Sequence, residues 1–252
     1  MYRSTDAGHH LGLLNMEDLP REEIAAVIDQ SVADLLRAAG VASPPVDAIG
    51  LARGHLGMEV CLDRRQPQRG RAQRAGGQKH IYLRPEPTLE RHQWTVAHEV
   101  GEFLKPALLQ RLGIEPERAR AMAGESLASL FAYHLLVPAC WLIGEAPLCS
   151  YDVLELKKRY ATASHEVIAW RLLDLAEPCI ITVIDNDHIH RRRSNAWPVR
   201  KRLDAPEKKC QEYVHYYSRP HRVQEDGWTV HGWPIHQADW KREILRSVVE
   251  VD

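Results

Sequence analysis

His98 and Glu102 stand four residues apart in the run Trp94-Thr95-Val96-Ala97-His98-Glu99-Val100-Gly101-Glu102. Four residues of α-helix turn about 400°, so an imidazole and a carboxylate leave one face a turn apart, where both can reach one metal ion. Glu99 lies about 100° round from His98. In His-Glu-x-x-His sites a glutamate in that place binds no metal but takes a proton from metal-bound water. Gly101 costs roughly 1 kcal/mol against alanine in a helix interior, and its bare surface predicts a backbone packed closely beside the donors.

A hydrolytic zinc site needs three protein ligands and one position open to water. The third is expected from another element. Glu125 is the candidate, with Ala121, Ala128 and Ala132 near its face to let two helices approach. Ser129, one turn after Glu125, is placed to orient a metal ligand.

These residues need elements to hold them. Leu89 to Leu104 has a strong helical pattern, with Pro106 expected just past its end. Glu115 to Leu136 reads as the next long helix, closed by Pro138. Upstream, Ile24, Val27, Ile28, Val32 and Leu35 mark a helix from Arg21 that stops at Gly40, and Val46 to Leu56 a shorter one stopped by Gly57. Met58 to Leu62 and His80 to Leu83 read as strands. Between them Arg64 to Lys79, rich in Arg, Gln and Gly, reads as a loop or flexible hairpin, a solvated segment in the plainer reading and a mobile basic lip in the functional one. Tyr151 to Leu175 reads as two helices about Thr162-Ala163-Ser164, with Ser164 as N-cap of the second. After Pro178 the grammar changes: a strand over Cys179 to Ile184, a turn at Asp185-Asn186-Asp187 and a return strand from His188.

With these elements in order, the chain resembles the ImmA/IrrE family of metallopeptidases. The run Trp94 to Glu102 is similar to that family's active helix, F-T-x-A-H-E-x-G-H. The run Glu125-Ser126-Leu127-Ala128-Ser129-Leu130-Phe131-Ala132-Tyr133-His134-Leu135-Leu136-Val137-Pro138 is similar to its second motif, E-x-x-A-[DN]-x-F-A-x-x-L-L-[MV]-P. Val46 to Ala52 with Leu56 to Val60 match its helix-then-strand entry. Leu156 to Ser164 with Arg171-Leu172 resemble its helix-turn-helix-like tail. The resemblance spans about Arg21 to Leu175. It implies a gluzincin-like site with His98, Glu102 and Glu125 as ligands to one divalent metal and Glu99 as general base. It further implies a cytoplasmic regulatory endopeptidase whose protein substrate is a helix-turn-helix repressor. Two departures stand out: Glu102 replaces the motif's second histidine, and Ser129 its usual Asp or Asn. Zinc with one histidine and two carboxylates leaves the site neutral, so its water is acidified less. The harder donor set brings manganese or iron into competition with zinc, which stays the first expectation.

The expected fold is α+β: an arm over residues 1–20, then a mainly helical zincin-like domain with a small antiparallel sheet over 21–150. Helix-turn-helix-like helices follow over 151–177, packed on that domain, and a small β-containing region over 178–252. Lys+Arg total 33 and Asp+Glu 34, a net charge of −1 that gives no global case for nucleic acid or an anionic membrane. No apolar run is long enough to span a bilayer, and the first residues lack a signal peptide's apolar core. The 5 scattered cysteines form no C-x-x-C pair, which favours reduced thiols in a cytoplasm. Lys157, Lys158, Arg159 and Arg171 could touch phosphates, although packing is the stronger reading. His190-Arg191-Arg192-Arg193 and then Arg200-Lys201-Arg202 form the densest basic cluster, open through Arg191, Arg192 and Arg193 to a phosphate, nucleic acid or an acidic partner, or else a solvated strand edge. Trp228 to Pro234 is either a ligand surface or a tail pinned back on the core. The alternative to the peptidase is a metal-free regulatory or binding module, toxin–antitoxin or phage-associated, acting through this basic, Trp-rich part. His134 is expected at a surface or core edge, about 900° round from Glu125.

Overall fold

The computed structural model describes residues 19–114 and 127–250. Glu125, and the arm expected over 1–20 as far as residue 18, lie outside the described residues. The fold is α+β.

The first helix, α1 (Arg21–Ala38), buries Ile24, Ile28, Val32 and Leu36 as one stripe and ends where Gly40 takes φ +71°. Asp47 caps α2 (Ala48–Gly54) by accepting the Gly50 N–H at 3.0 Å. Three strands follow: β1 (Met58–Leu62), β2 (Gly70–Ala75) and β3 (Gln78–Leu83), in the order β1-β3-β2. β2 and β3 are an antiparallel hairpin in which Ala75 pairs with Gln78 around Gly76 and Gly77, both at positive φ, as a two-residue hairpin turn requires. β1 runs parallel to β3, so the sheet is mixed and not antiparallel as expected. The reason is that residues 63–69 carry the chain past β3 before the hairpin turns back. The segment read as a loop or hairpin is thus a loop over residues 64–69 followed by the β2–β3 hairpin.

The central helix, α3 (Leu89–Arg111), does not stop at Pro106. A proline inside a helix removes one N–H donor and costs about 3 kcal/mol. Burial of Leu108 and Leu109 beyond it, each worth roughly 1.5–3 kcal/mol, offsets that and keeps the last turns helical. Gln93 of α3 ties α2 in place: its Oε1 accepts the Ala48 N–H at 2.7 Å and its Nε2 donates to Asp47 Oδ1 at 2.7 Å.

Helix α4 (Leu127–Leu136) is apolar on most sides and accordingly buried, and α5 (Ala139–Leu148) starts directly after Pro138. Helices α6 (Val153–Arg159) and α7 (His165–Arg171) form the expected pair, capped by Asp152 and by Ser164, whose hydroxyl accepts the Val167 N–H at 3.2 Å. The four basic residues of this pair are engaged inside the chain. Lys157 bonds Glu90 and two carbonyls, Lys158 pairs with Glu155, Arg159 with Glu145, and Arg171 is buried against Val137 O, His134 and Asp174.

The C-terminal part is a five-stranded antiparallel sheet in the order β5-β4-β8-β7-β6. Its strands are β4 (Ile180–Asp185), β5 (His188–Ser194), β6 (His221–Glu225), β7 (Trp228–Pro234) and β8 (Arg242–Val249). Alternation divides it into two faces. Ile181, Val183, Trp233 and Ile244 join the main core, while Ile184, Val223, Val230 and Leu245 pack under a further helix, α8 (Ala205–Tyr217), with its Cys210 and Val214. The tail is pinned back on the core: Trp233 is fully buried and its Nε1–H donates to Asp152 Oδ2 at 3.1 Å. All 5 cysteines are free thiols. Among the described residues no single helix is long and apolar enough to cross a membrane.

Candidate metal centre

α3 presents Trp94, Thr95, His98, Glu99 and Glu102 to a cleft whose opposite wall is the start of β2. The cleft has a volume of about 500 Å³, within the range of ligand sites. His98 Nε2 and Glu102 Oε1 are 3.9 Å apart on the one face that their spacing predicts. At a tetrahedral angle metal bonds of about 2.0–2.2 Å set two ligand atoms about 3.4 Å apart, so the pair reaches one ion after closing by about half an ångström. Burial lowers the basicity of His98; the Glu102 charge opposes this in part, and Lys105 lowers it a little further. That direction favours the neutral imidazole, the form a ligand must take.

Two contacts fix that ring. Ser129 Oγ lies 3.2 Å from His98 Nδ1. With the Nδ1 proton donated to the hydroxyl, the Nε2 lone pair faces the cleft. The Trp94 indole stacks on the imidazole with centroids 5.3 Å apart, and Tyr133 meets Trp94 edge-on at 6.4 Å. Ser129 reaches α3 because the two helices nearly touch: a Cβ on Gly101 would lie 2.9 Å from both Cα and O of Ala128. This close approach is the packing reason for a glycine inside a helix.

Glu99 is buried beneath β2, only 8% exposed. A Cβ on Gly70 would lie 2.6 Å from Glu99 Oε1 and 2.4 Å from Thr95 Cγ2, so β2 can settle on the helix only with glycine there. The Ala72 N–H donates to the Glu99 carboxyl. Burial pushes Glu99 up to about 7, the Ala72 bond pulling it down and the Glu102 charge pushing it up. Gly70 and Ala72 escape a reading of the sequence, since the only signal there is a glycine inside a polar segment.

The predicted residues thus fall into three groups. His98, Glu99, Glu102 and Ser129 are brought together. Glu125 lies outside the described residues, and among the described residues no cluster of three or more His, Cys, Asp or Glu side chains is arranged to hold a metal. Arg191, Arg192 and Arg193 sit on β5, away from these elements in the fold. Arg192 is 3% exposed and bonds both carboxylate oxygens of Glu207 at 2.8 Å, a structural pair and not an open phosphate site. Arg191 and Arg193 lie over the Trp170 ring, each 5.8 Å from its centroid. Nearby, Trp197, Trp228, Arg200 and Arg202 line a separate cavity of about 340 Å³. His134 is not at a core edge. It is 3% exposed, 2.7 Å from Asp29 and 2.9 Å from Arg171.

No family model matches the chain, and no curated protein does either. Among solved structures the fold is similar to that of a Mycobacterium tuberculosis transcriptional regulator, with a TM-score of 0.64 and 15% sequence identity. The likeness covers 92% of this chain and 81% of that one.

Proposed function

We propose that the chain is a metal-dependent endopeptidase of the ImmA/IrrE type, with a regulatory helix-turn-helix repressor as its substrate. One observation carries the reading: His98 Nε2 and Glu102 Oε1 face one cleft 3.9 Å apart, beside a buried Glu99 whose carboxyl ionises near neutrality. His98 and Glu102 supply two ligands to one divalent ion, and Glu125 is the third by resemblance. Zinc is the first choice, with manganese or iron favoured by the carboxylates. Such an ion supplies Lewis acidity to a water and to the scissile carbonyl. Glu99 accepts the proton of the attacking water and passes it to the leaving amine nitrogen. Ser129 and Trp94 keep the His98 ring in register, and β2 covers Glu99 from bulk water. The regulatory half of the reading is supported by a similar structure belonging to a transcriptional regulator. The alternative, a metal-free module working through the C-terminal basic region, has to do without Arg192, already committed to Glu207.

The test is metal analysis of protein purified without chelator, paired with a cleavage assay on a helix-turn-helix protein encoded beside this chain. About one equivalent of divalent ion is expected. Glu99→Gln is expected to keep that ion and lose cleavage. Absence of metal, or a fully active Glu99→Gln, sinks the proposal.

A further inference from the structure

The cleft has a basic wall that the proposed chemistry does not use. Between Arg64 and Arg84 the chain carries 7 basic side chains and no Asp or Glu, in a protein of net charge −1. The wall is built on β2, an edge strand. Arg69 and Arg71 line the cleft together with His98, Glu99 and Glu102. Arg69 O accepts the Arg84 N–H at 2.9 Å, so the ladder already begins at Arg69. Two residues apart on a strand, Arg69 and Arg71 leave the same face of β2, the one opposite to that by which Gly70 meets Glu99, with origins about 7 Å apart. Past Glu102 the rim continues: Arg74 and Lys79 both lie 5.9 Å from the Phe103 ring centroid, and Lys105 Nζ is 3.9 Å from Glu102 Oε2.

These cations are short of carboxylates. Glu86 is shared by Arg84 at 2.9 Å, Arg91 at 3.3 Å and Arg69 at 3.9 Å. Arg71 lies over the Tyr82 ring at 5.1 Å, and among the described residues no carboxylate reaches it, Arg74 or Lys79 within ion-pair distance. Opposite them, the floor of the cleft is acidic, with Glu99 and Glu102. A phosphodiester backbone would face that floor directly. A polypeptide lays neutral backbone over it and sends acidic side chains outward, and the groups of the β2 edge other than the Ala72 N–H, which Glu99 holds, supply backbone partners for an extended peptide.

We infer that the cleft takes an extended, acidic polypeptide segment, with carboxylate side chains two residues apart meeting Arg69 and Arg71. The inference rests on the peptidase reading for the occupant being polypeptide, and gives that occupant its charge. The test uses the full chain carrying Glu99→Gln and a fluorescent peptide of about ten residues, long enough to run past the strand, with Glu at alternate positions. Its counterpart has Gln at the same places. Anisotropy titrations are expected to give about tenfold tighter binding of the acidic peptide. That preference is expected to shrink as salt rises from about 50 to about 300 mM, and to vanish when Arg69→Gln and Arg71→Gln are combined. Both arginines project their side chains from the surface of the lip, and an unchanged melting temperature checks that the double variant is folded. Equal binding of the two peptides overturns the inference, as does a preference that survives the double variant. So does a single-stranded oligonucleotide of matched charge that binds more tightly than the acidic peptide. The proteolytic reading fails separately: wild-type protein that binds the acidic peptide and never cuts any substrate sinks proteolysis alone, while cleavage indifferent to charge sinks this inference alone.

Discussion

At Glu99, burial and ionisation pull in opposite directions. The carboxyl sits under β2, where Gly70 and Thr95 exclude water, and its ionisation is pushed from 4.5 up to about 7. In the unfolded chain the same group ionises at its ordinary value. Between about pH 4.5 and 7 the folded state therefore holds a proton that the unfolded state has lost, so stability falls as pH rises through that window. Above it the penalty persists, at most a few kcal/mol for a shift of this size. Glu99→Gln keeps the shape and can still accept the Ala72 N–H, but cannot ionise. In the presence of chelator it is expected to melt higher than wild type at pH 8, with the gain gone near pH 4. Thermal unfolding at the two pH values checks this; a variant no more stable at pH 8 means that the carboxyl is better solvated than its surroundings imply. That cost fits the general-base role proposed for Glu99, since a site tuned for proton transfer is held at some expense of stability.

At the scale of elements, the helices around the site are joined by a polar cluster that no sequence period reveals. His134 of α4 lies between Asp29 of α1 and Arg171 of α7. Its Nδ1–H donates to Asp29 and its Nε2 accepts from Arg171, so both nitrogens are used only in the neutral ring. Burial and the Arg171 charge depress its ionisation, and the Asp29 contacts do not reverse this. Burial alone would raise Asp29, but the hydrogen bond from His134 and the charge of Arg171 bring it below its ordinary value. Both folded values are depressed, so both contributions are present above the unfolded values of 6.5 and 3.8 and are lost as pH falls. Denaturant unfolding should weaken from about pH 6.5 downward, first through His134 and then through Asp29. His134→Gln should flatten the slope just below about pH 6.5 while leaving the loss in the carboxylate range. An unchanged slope assigns that window to other histidines.

The same elements mark what could be read in advance. The His98–Glu102 face, the Ser164 cap and the Gly101 contact follow from spacing and residue type, because each is set within one or two turns of helix. The continuation of α3 through Pro106 does not, since it depends on what Leu108 and Leu109 bury against. Nor does the mixed sheet, whose parallel pair joins segments about twenty residues apart by pairings that local patterns do not encode. Helix α8 did carry a local signal: Asp204 and Glu207 form a capping box with Pro206 in the first turn, a pattern easily passed over amid Trp, His and Pro.

At the scale of the molecule, the two halves share one interior. One face of the C-terminal sheet, through Ile181, Val183, Trp233 and Ile244, belongs to the same cluster as Val96, Ala97 and Val100 of α3. Polar ties cross at the same place: Trp233 donates to the Asp152 carboxylate that caps α6, and Arg242 reaches both Asp185 of β4 and Glu166 of α7 at 2.6 Å. An interior shared in this way predicts a single unfolding transition, because neither half keeps its apolar face covered when the other opens. Trp233→Ala removes the largest fully buried side chain and one of these ties, a loss of about 3–5 kcal/mol. Far-UV circular dichroism and the fluorescence of Trp94, stacked on His98, should then fall together at a lower temperature. Were the Trp94 signal to keep its original midpoint while the dichroism lost amplitude earlier, the sheet would be an independent unit, and the site would owe it nothing.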